Sequence, residues 1–256
     1  MFCTIPGLFH PSRDSDPPYP RTTTFPPQTY NTDTQVPDSA GTATAMFSGV
    51  KTRAGMLGLD STAAYNVCAP ASIEAASITS IADWAAGVDK DVGVVTTARL
   101  THATPGAMYA HSPMRDWEAD SKLPRDSNGC TDIATQLLEA LQKGKVKVAL
   151  GGGRRNFQNV EHGGVRWLKD LVTAWKEGGG DYLETAADLA SWDREGEVLG
   201  LFASSHLGWE VDRAGGEEPS LAEMTRAAID RLKKGPEGFV LMVEAGRIDH
   251  AHHQNR

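Results

Sequence analysis

No apolar run in this chain approaches the eighteen or so residues of a bilayer-crossing helix, which excludes a helical membrane span. Basic charge is also scarce: 25 Lys and Arg face 33 Asp and Glu, for a net charge of -8. That balance leaves no basic stripe to neutralise nucleic-acid phosphates. The first residues, MFCTIPGLFHPSRD, lack the long apolar segment of a signal peptide, so the literal expectation is a soluble, untargeted chain. There is no Asn-x-Ser/Thr acceptor, and N-glycosylation is not expected. No GxSxG surrounds Ser39, which argues against an α/β-hydrolase, and no internal repeat is visible. Cysteine is limited to three residues that cannot all pair. The count is compatible with one disulfide plus a stray thiol, or with three reduced thiols.

What is present is globular from Tyr30 onward, and 256 residues are ample for one large α/β domain. Residues 1–28 form a proline-rich leader containing PPYP and FPP, without apolar periodicity, and are expected to be disordered or extended. Residues 29–256 then alternate helical and strand patterns. Helices are expected at the Ser39 stretch, Ile73 to Gly87, Thr131 to Gln142, Val165 to Glu177, Leu221 to Lys233 and from Arg247 onward. Strands are expected at Val92–Thr97, Val146–Leu150, Val198–Ala203 and Phe239–Glu244. Such alternation predicts a three-layer α/β/α fold with a largely parallel central sheet, binding groups lying at the C-terminal ends of its strands.

The stretch VPDSAGTATAMFSGVK, from Val36 to Lys51, places Ser39 just behind a helix-capping Asp38 and among small side chains. Unpaired N–H groups at a helix start favour an anion or an alkoxide, so Ser39 is either a nucleophile or a cap-and-turn serine. The loop after VGVVTT carries Arg99, His102, Thr104, His111 and Arg115. An arginine fork matches two phosphate oxygens, and a threonine hydroxyl suits magnesium better than zinc. In VEAGRIDHAHH, Asp249 and His253 are four apart, on one helical face, where a carboxylate and an imidazole can share a zinc ion. His252 could reach a similar place, and His250 could act as a partner to the ligands. Glu244 closes an apolar strand, as a metal ligand or as an ion-pair partner of Arg247. GGG before Arg154 reads as a tight turn, being neither a P-loop nor a dinucleotide fingerprint.

VPDSAGTATA, VGVVTTARLTHATPGAMYAH, GCTDIATQL, VALGGGR and VEAGRIDHAHH resemble the animal alkaline phosphatases in type and order, from about residue 30 to residue 256. The resemblance implies phosphate-monoester hydrolysis through a covalent phosphoserine, at a site of two Zn2+ and one Mg2+ acting on small phosphomonoesters. Ser39 matches the nucleophile and Arg115 the phosphate clamp, positioned by Asp38. Asp249 and His253 match ligands of the first zinc; Thr104 and Glu244 match ligands of the magnesium, with His102 beside it. Cys68 and Cys130 match a disulfide, which implies an exported protein. The resemblance also implies, for complete animal members, a homodimer and a place on the extracellular face of the plasma membrane through a C-terminal lipid anchor.

The sequence also departs from that pattern. Nothing in residues 1–28 resembles the family's Asp-Gly-Met-Gly strand end, and the Asp-His pair and last histidine of the family fall beyond Arg256. Ala203 replaces a calcium-site glutamate, and the segment from Arg154 to Gly163 is short, so calcium is not expected. The expectation is an incomplete site, and little turnover by these 256 residues alone. The alternative is a non-catalytic remnant that binds metal or phosphate.

Overall fold

In the computed structural model, residues 29–127, 129–213 and 216–255 are described. The leader at 1–28 and Cys3 lie outside them.

Asp38 caps the first helix, α1 (Ser39–Ser48), by accepting from the Gly41 N–H at 2.9 Å. The predicted single helix over Ile73–Gly87 is two short ones, α2 (Pro70–Ala76) and α3 (Ile81–Ala86). The break has a physical cause. Ser80 and Asp83 form a capping box that starts α3, while the Ser80 hydroxyl donates to the Met108 carbonyl at 2.8 Å. Ile78 leaves the helical path to bond the Gly58 carbonyl.

Strand β1 (Asp91–Arg99) is followed at once by the short helix α4 (Ala103–Gly106). Asp132 caps α5 (Ile133–Gln142), and β2 (Val148–Gly152) begins two residues later than its apolar run. The helix expected from Val165 starts only at α6 (Leu171–Glu177), because Val165–Asp170 is pinned as a turn. There the buried Arg166 bonds Asp132 at 2.8 Å, Asp120 accepts from the N–H groups of Trp167 and Leu168, and Asp170 caps the helix.

The sequence pattern missed β3 (Asp181–Leu183), which is only three residues long, and α7 (Ala186–Ser191), which starts on a Thr185–Asp188 capping box. The order finishes with β4 (Val198–Leu201), α8 (Leu221–Leu232), β5 (Phe239–Glu244) and α9 (Gly246–His253).

The five strands form one all-parallel sheet in the order β3-β4-β2-β1-β5. One face packs against a core that includes Phe47 of α1, Ala82 and Ala85 of α3, Leu137 and Leu141 of α5 and Trp175 of α6. The other face packs against Leu189 of α7 and Met224, Ala228 and Leu232 of α8. Helices on both faces explain why β1 is buried almost throughout. Among the described residues β5 is an edge strand, paired only with β1, and Phe239 and Val243 are exposed. No helix of the described residues is long and apolar enough to cross a membrane.

Cys68 and Cys130, 62 positions apart in sequence, are joined in a disulfide with Cα atoms 6.0 Å apart. It ties the irregular segment before α2 to the one before α5. Closing a loop of that length restricts the unfolded chain, so Cys68→Ala with Cys130→Ala should cost about 2–4 kcal/mol. A urea midpoint identical to that of the oxidised parent would contradict this.

Candidate active site

Parallel strands all end on one side, and the loops after β1, β4 and β5 meet there. β1 and β5 run in register with Thr96 opposite Glu244. The Thr96 hydroxyl donates to Glu244 Oε2 at 2.6 Å, and the Thr104 hydroxyl on α4 also bonds this carboxylate. Burial raises the Glu244 pKa, and the charge of Asp249 raises it further, against the lowering effect of the two threonines and Arg115. The largely buried Glu244 carboxyl, a neighbouring, partly exposed Asp249 and a hydroxyl form an oxygen-donor set of the kind that a hard cation stabilises.

One helical turn later, Asp249 Oδ2 stands 3.5 Å from His253 Nε2, on one face of α9 as their spacing predicted. Carboxylate oxygen and imidazole nitrogen are zinc donors. The His253 side chain is 77% exposed, so little but Asp249 fixes it. His252 is exposed as well.

The start of α1 faces the same loops. Asp38 uses both carboxylate oxygens. Oδ1 accepts from the Gly41 N–H and from Asn31 Nδ2 at 3.2 Å, and Oδ2 pairs with Arg115 Nη1 at 3.2 Å. Gly41 is required for this close approach, since a Cβ there would lie 2.3 Å from Asn31 Oδ1. Burial opposes the Asp38 charge. Backbone N–H groups of Gly41, Gly55 and Ala40, with Arg115, outweigh it and hold the carboxyl below its ordinary range. The second amino group of Arg115 lies 3.1 Å from His102 Nε2, so the fork is held from two sides next to Ser39. Ser39, half-buried, is the first residue of α1.

Two groups that drew no attention in the sequence support this arrangement. Glu118, buried, accepts two bonds from Arg99 at 2.7 Å, one from Thr101 and one from Asn156, and so fixes the end of β1. His206, in the loop after β4, brings a third imidazole to His102 and His250. Its position after a strand end was the signal available for finding it. By contrast His111 points elsewhere, with Nδ1 2.7 Å from the Gly58 carbonyl. Of GGGR, Gly151 and Gly152 end β2 and the left-handed Gly153 turns the chain, so that Arg154 pairs with Glu184.

Burial is the main reason that His102 is lowered to about 2 and His206 to about 3, with Arg115 and Arg99 the next contributors respectively. His250 is lowered too, by burial and then Arg247. An unfolded chain protonates these rings near 6.5. Between that value and about 3 the unfolded state therefore binds more protons, and stability is lost as pH falls through the window. The melting temperature should drop between about pH 7 and pH 5, and His206→Gln should reduce the drop. A melting temperature that is flat across this range would contradict the neutral cluster.

The family pattern described as alkaline phosphatase matches residues 18–256. The tissue-nonspecific alkaline phosphatase isozyme of Gallus gallus is 43% identical over 250 residues, which are 90% of this chain and 47% of that protein. The crystal structure of Thermus thermophilus alkaline phosphatase superposes with a TM-score of 0.68 at 34% identity, covering 89% of this chain and 42% of that one. A variant of the alkaline phosphatase from the Antarctic bacterium TAB5, with magnesium bound, superposes with a TM-score of 0.65 at 25% identity over 89% of this chain and 56% of its own. This chain thus spans about half the length of the curated relatives it matches. Identity at this level over nine-tenths of its residues, on a shared α/β architecture, is common ancestry: the chain belongs to the alkaline phosphatase family.

Proposed function

We propose that this chain carries the phosphoryl-transfer part of a phosphomonoesterase site, with Ser39 as nucleophile. The observation that carries the reading is the Asp38–Arg115 pair, which keeps a planar guanidinium beside the first residue of α1. Arg115 would take two non-bridging oxygens of a small phosphomonoester with its fork. The N–H groups at the start of α1 would face the same phosphoryl group. Ser39 Oγ, giving up its proton to solvent, attacks phosphorus in line with the ester oxygen, forming a P–O bond to serine as the bond to the leaving oxygen breaks. That oxygen leaves as the alcohol after taking a proton from water. A water molecule then attacks the phosphoserine from the vacated side, releasing inorganic phosphate and returning the hydroxyl.

Asp249 and His253 would hold the first zinc, and Thr104 with Glu244 the magnesium, as the magnesium-bearing TAB5 relative supports. Bound metal lowers the pKa of a coordinated hydroxyl or water and screens charge on the transferring group. We read no calcium site at Ala203, and we take the homodimer and an extracellular location as extensions of the same reading. The disulfide supports the location, since such bonds persist in oxidising compartments.

Two protein donors, one of them largely exposed, hold zinc weakly. Turnover of p-nitrophenyl phosphate by these 256 residues should be low at stoichiometric zinc, should rise with excess zinc, and should vanish in EDTA. Undiminished turnover in EDTA would overturn the reading. Zinc-dependent phosphate binding without any turnover would favour the non-catalytic remnant.

A further inference from the structure

We infer that His102, His206 and His250 form a site for one divalent cation of the zinc class, separate from the Asp249–His253 and Thr104–Glu244 donor pairs. His102 and His206 come from the loops after β1 and β4 and His250 from α9, which follows β5, so it is the sheet order that gathers them. One ring nitrogen from each lies within 4.8 Å of the others. Their ring centres are 5.2, 5.5 and 4.2 Å apart, with interplanar angles of 84°, 85° and 62°.

Those separations are close to what one ion requires. With nitrogen about 2.0–2.1 Å from zinc and tetrahedral angles, bound nitrogens stand about 3.4 Å apart and ring centres about 5 Å apart. On binding, the half-buried rings would have to bring nitrogens now within 4.8 Å of one another to that spacing. Three imidazoles leave the fourth position open for water or an anion.

Three guanidinium groups compete for the same lone pairs. Arg115 faces His102 Nε2, Arg99 Nη1 lies 2.5 Å from His206 Nε2, and Arg247 Nη1 lies 3.1 Å from His250 Nδ1. Asp38 and Glu118 neutralise two of these cations, and the third is stacked on Trp209. Arg99 can release His206 while keeping Glu118 through its other two nitrogens. His206 also receives the Arg99 backbone N–H at Nδ1, at 3.2 Å. A neutral imidazole has one acceptor nitrogen, so the protein offers this ring more donors than it can accept. An ion at Nε2 takes the place of the Arg99 guanidinium as the group that draws on that nitrogen.

The test is a Co2+ titration of the full chain followed by visible absorption, run beside His206→Ala and His253→Ala. The parent should bind a Co2+ equivalent that His206→Ala loses or holds about a hundredfold more weakly, and that His253→Ala retains. Should His206→Ala fail to fold, imidazole 15N shifts of the parent under Zn2+ titration give the same answer, the His206 ring moving at the first or second equivalent. Unchanged stoichiometry and spectrum in His206→Ala, an unmoved His206 ring, or loss of one common equivalent in both variants would overturn the site. None of these readouts involves Ser39 or turnover, so failure here is distinct from failure of the phosphomonoesterase reading.

Discussion

Ser39→Ala should lower zinc-dependent turnover of p-nitrophenyl phosphate by at least about a thousandfold, with no loss of folding stability beyond a few tenths of a kcal/mol. The two halves of this expectation have different causes. Ser39 Oγ is the only protein atom in the scheme that forms a bond to phosphorus, so its removal deletes a covalent step. Its structural role is small by comparison. α1 is capped by the Asp38 carboxylate, which accepts from Gly41 and is itself fixed by Asn31 and Arg115. Alanine is also the best helix former, so the first turn tolerates it. If Ser39 were merely a turn-opening serine, the variant would keep its parent's turnover. That outcome would return the VPDSAGTATA stretch to its bland reading.

Arg115→Ala should cost about a hundredfold to a thousandfold in kcat/KM, the range found when a preorganised donor to a developing oxyanion is removed. Arg115→Lys should recover little, because one ammonium cannot present two parallel N–H groups to two phosphate oxygens. The geometry makes the loss specific to the fork. Asp38 holds one of its amino groups and His102 faces the other, so the plane of the guanidinium is set before any phosphate arrives. Asp38→Asn should then weaken turnover less than Arg115→Ala, since Asn31 and Gly41 still orient the side chain while the charge that seats Arg115 is gone. Equal kcat/KM for Arg115→Lys and the parent would contradict a bidentate clamp.

The sheet was legible in the sequence wherever a strand forms a short continuous apolar run. VGVVTT, buried on both faces, and GFVLMV, at the edge of the sheet, each became a parallel strand close to its predicted bounds. β3 was not legible, because three residues carry no period. The single helix predicted over Ile73–Gly87 failed for a different reason. Its apolar spacing continues through Ser80, but a capping box and a bond to Met108 there outweigh periodicity. Val165–Asp170 was misread in the same way, since Arg166, Asp120 and Asp170 pin a turn through partners far away in the chain.

The candidate site divides along the same line. Spacing on one element could be read directly, and Asp249 and His253 do share a face of α9. Convergence of different loops could not. Glu118 is 19 residues from Arg99 and 38 from Asn156, and His206 is 107 residues from Arg99, so only the folded sheet reveals that they meet. Asn31 under Gly41 belongs to this class too: its role is a close approach that no local pattern announces.

The central claim is that Ser39 takes the phosphoryl group. It is tested most directly by incubating the chain with excess Zn2+, Mg2+ and p-nitrophenyl phosphate, quenching in acid, and mapping phosphopeptides by mass spectrometry. The account predicts one added phosphoryl group on Ser39, absent in EDTA and in Ser39→Ala. A fully metallated, folded chain that hydrolyses the ester with Ser39 unmodified, or that carries the phosphoryl group on another residue, would contradict it.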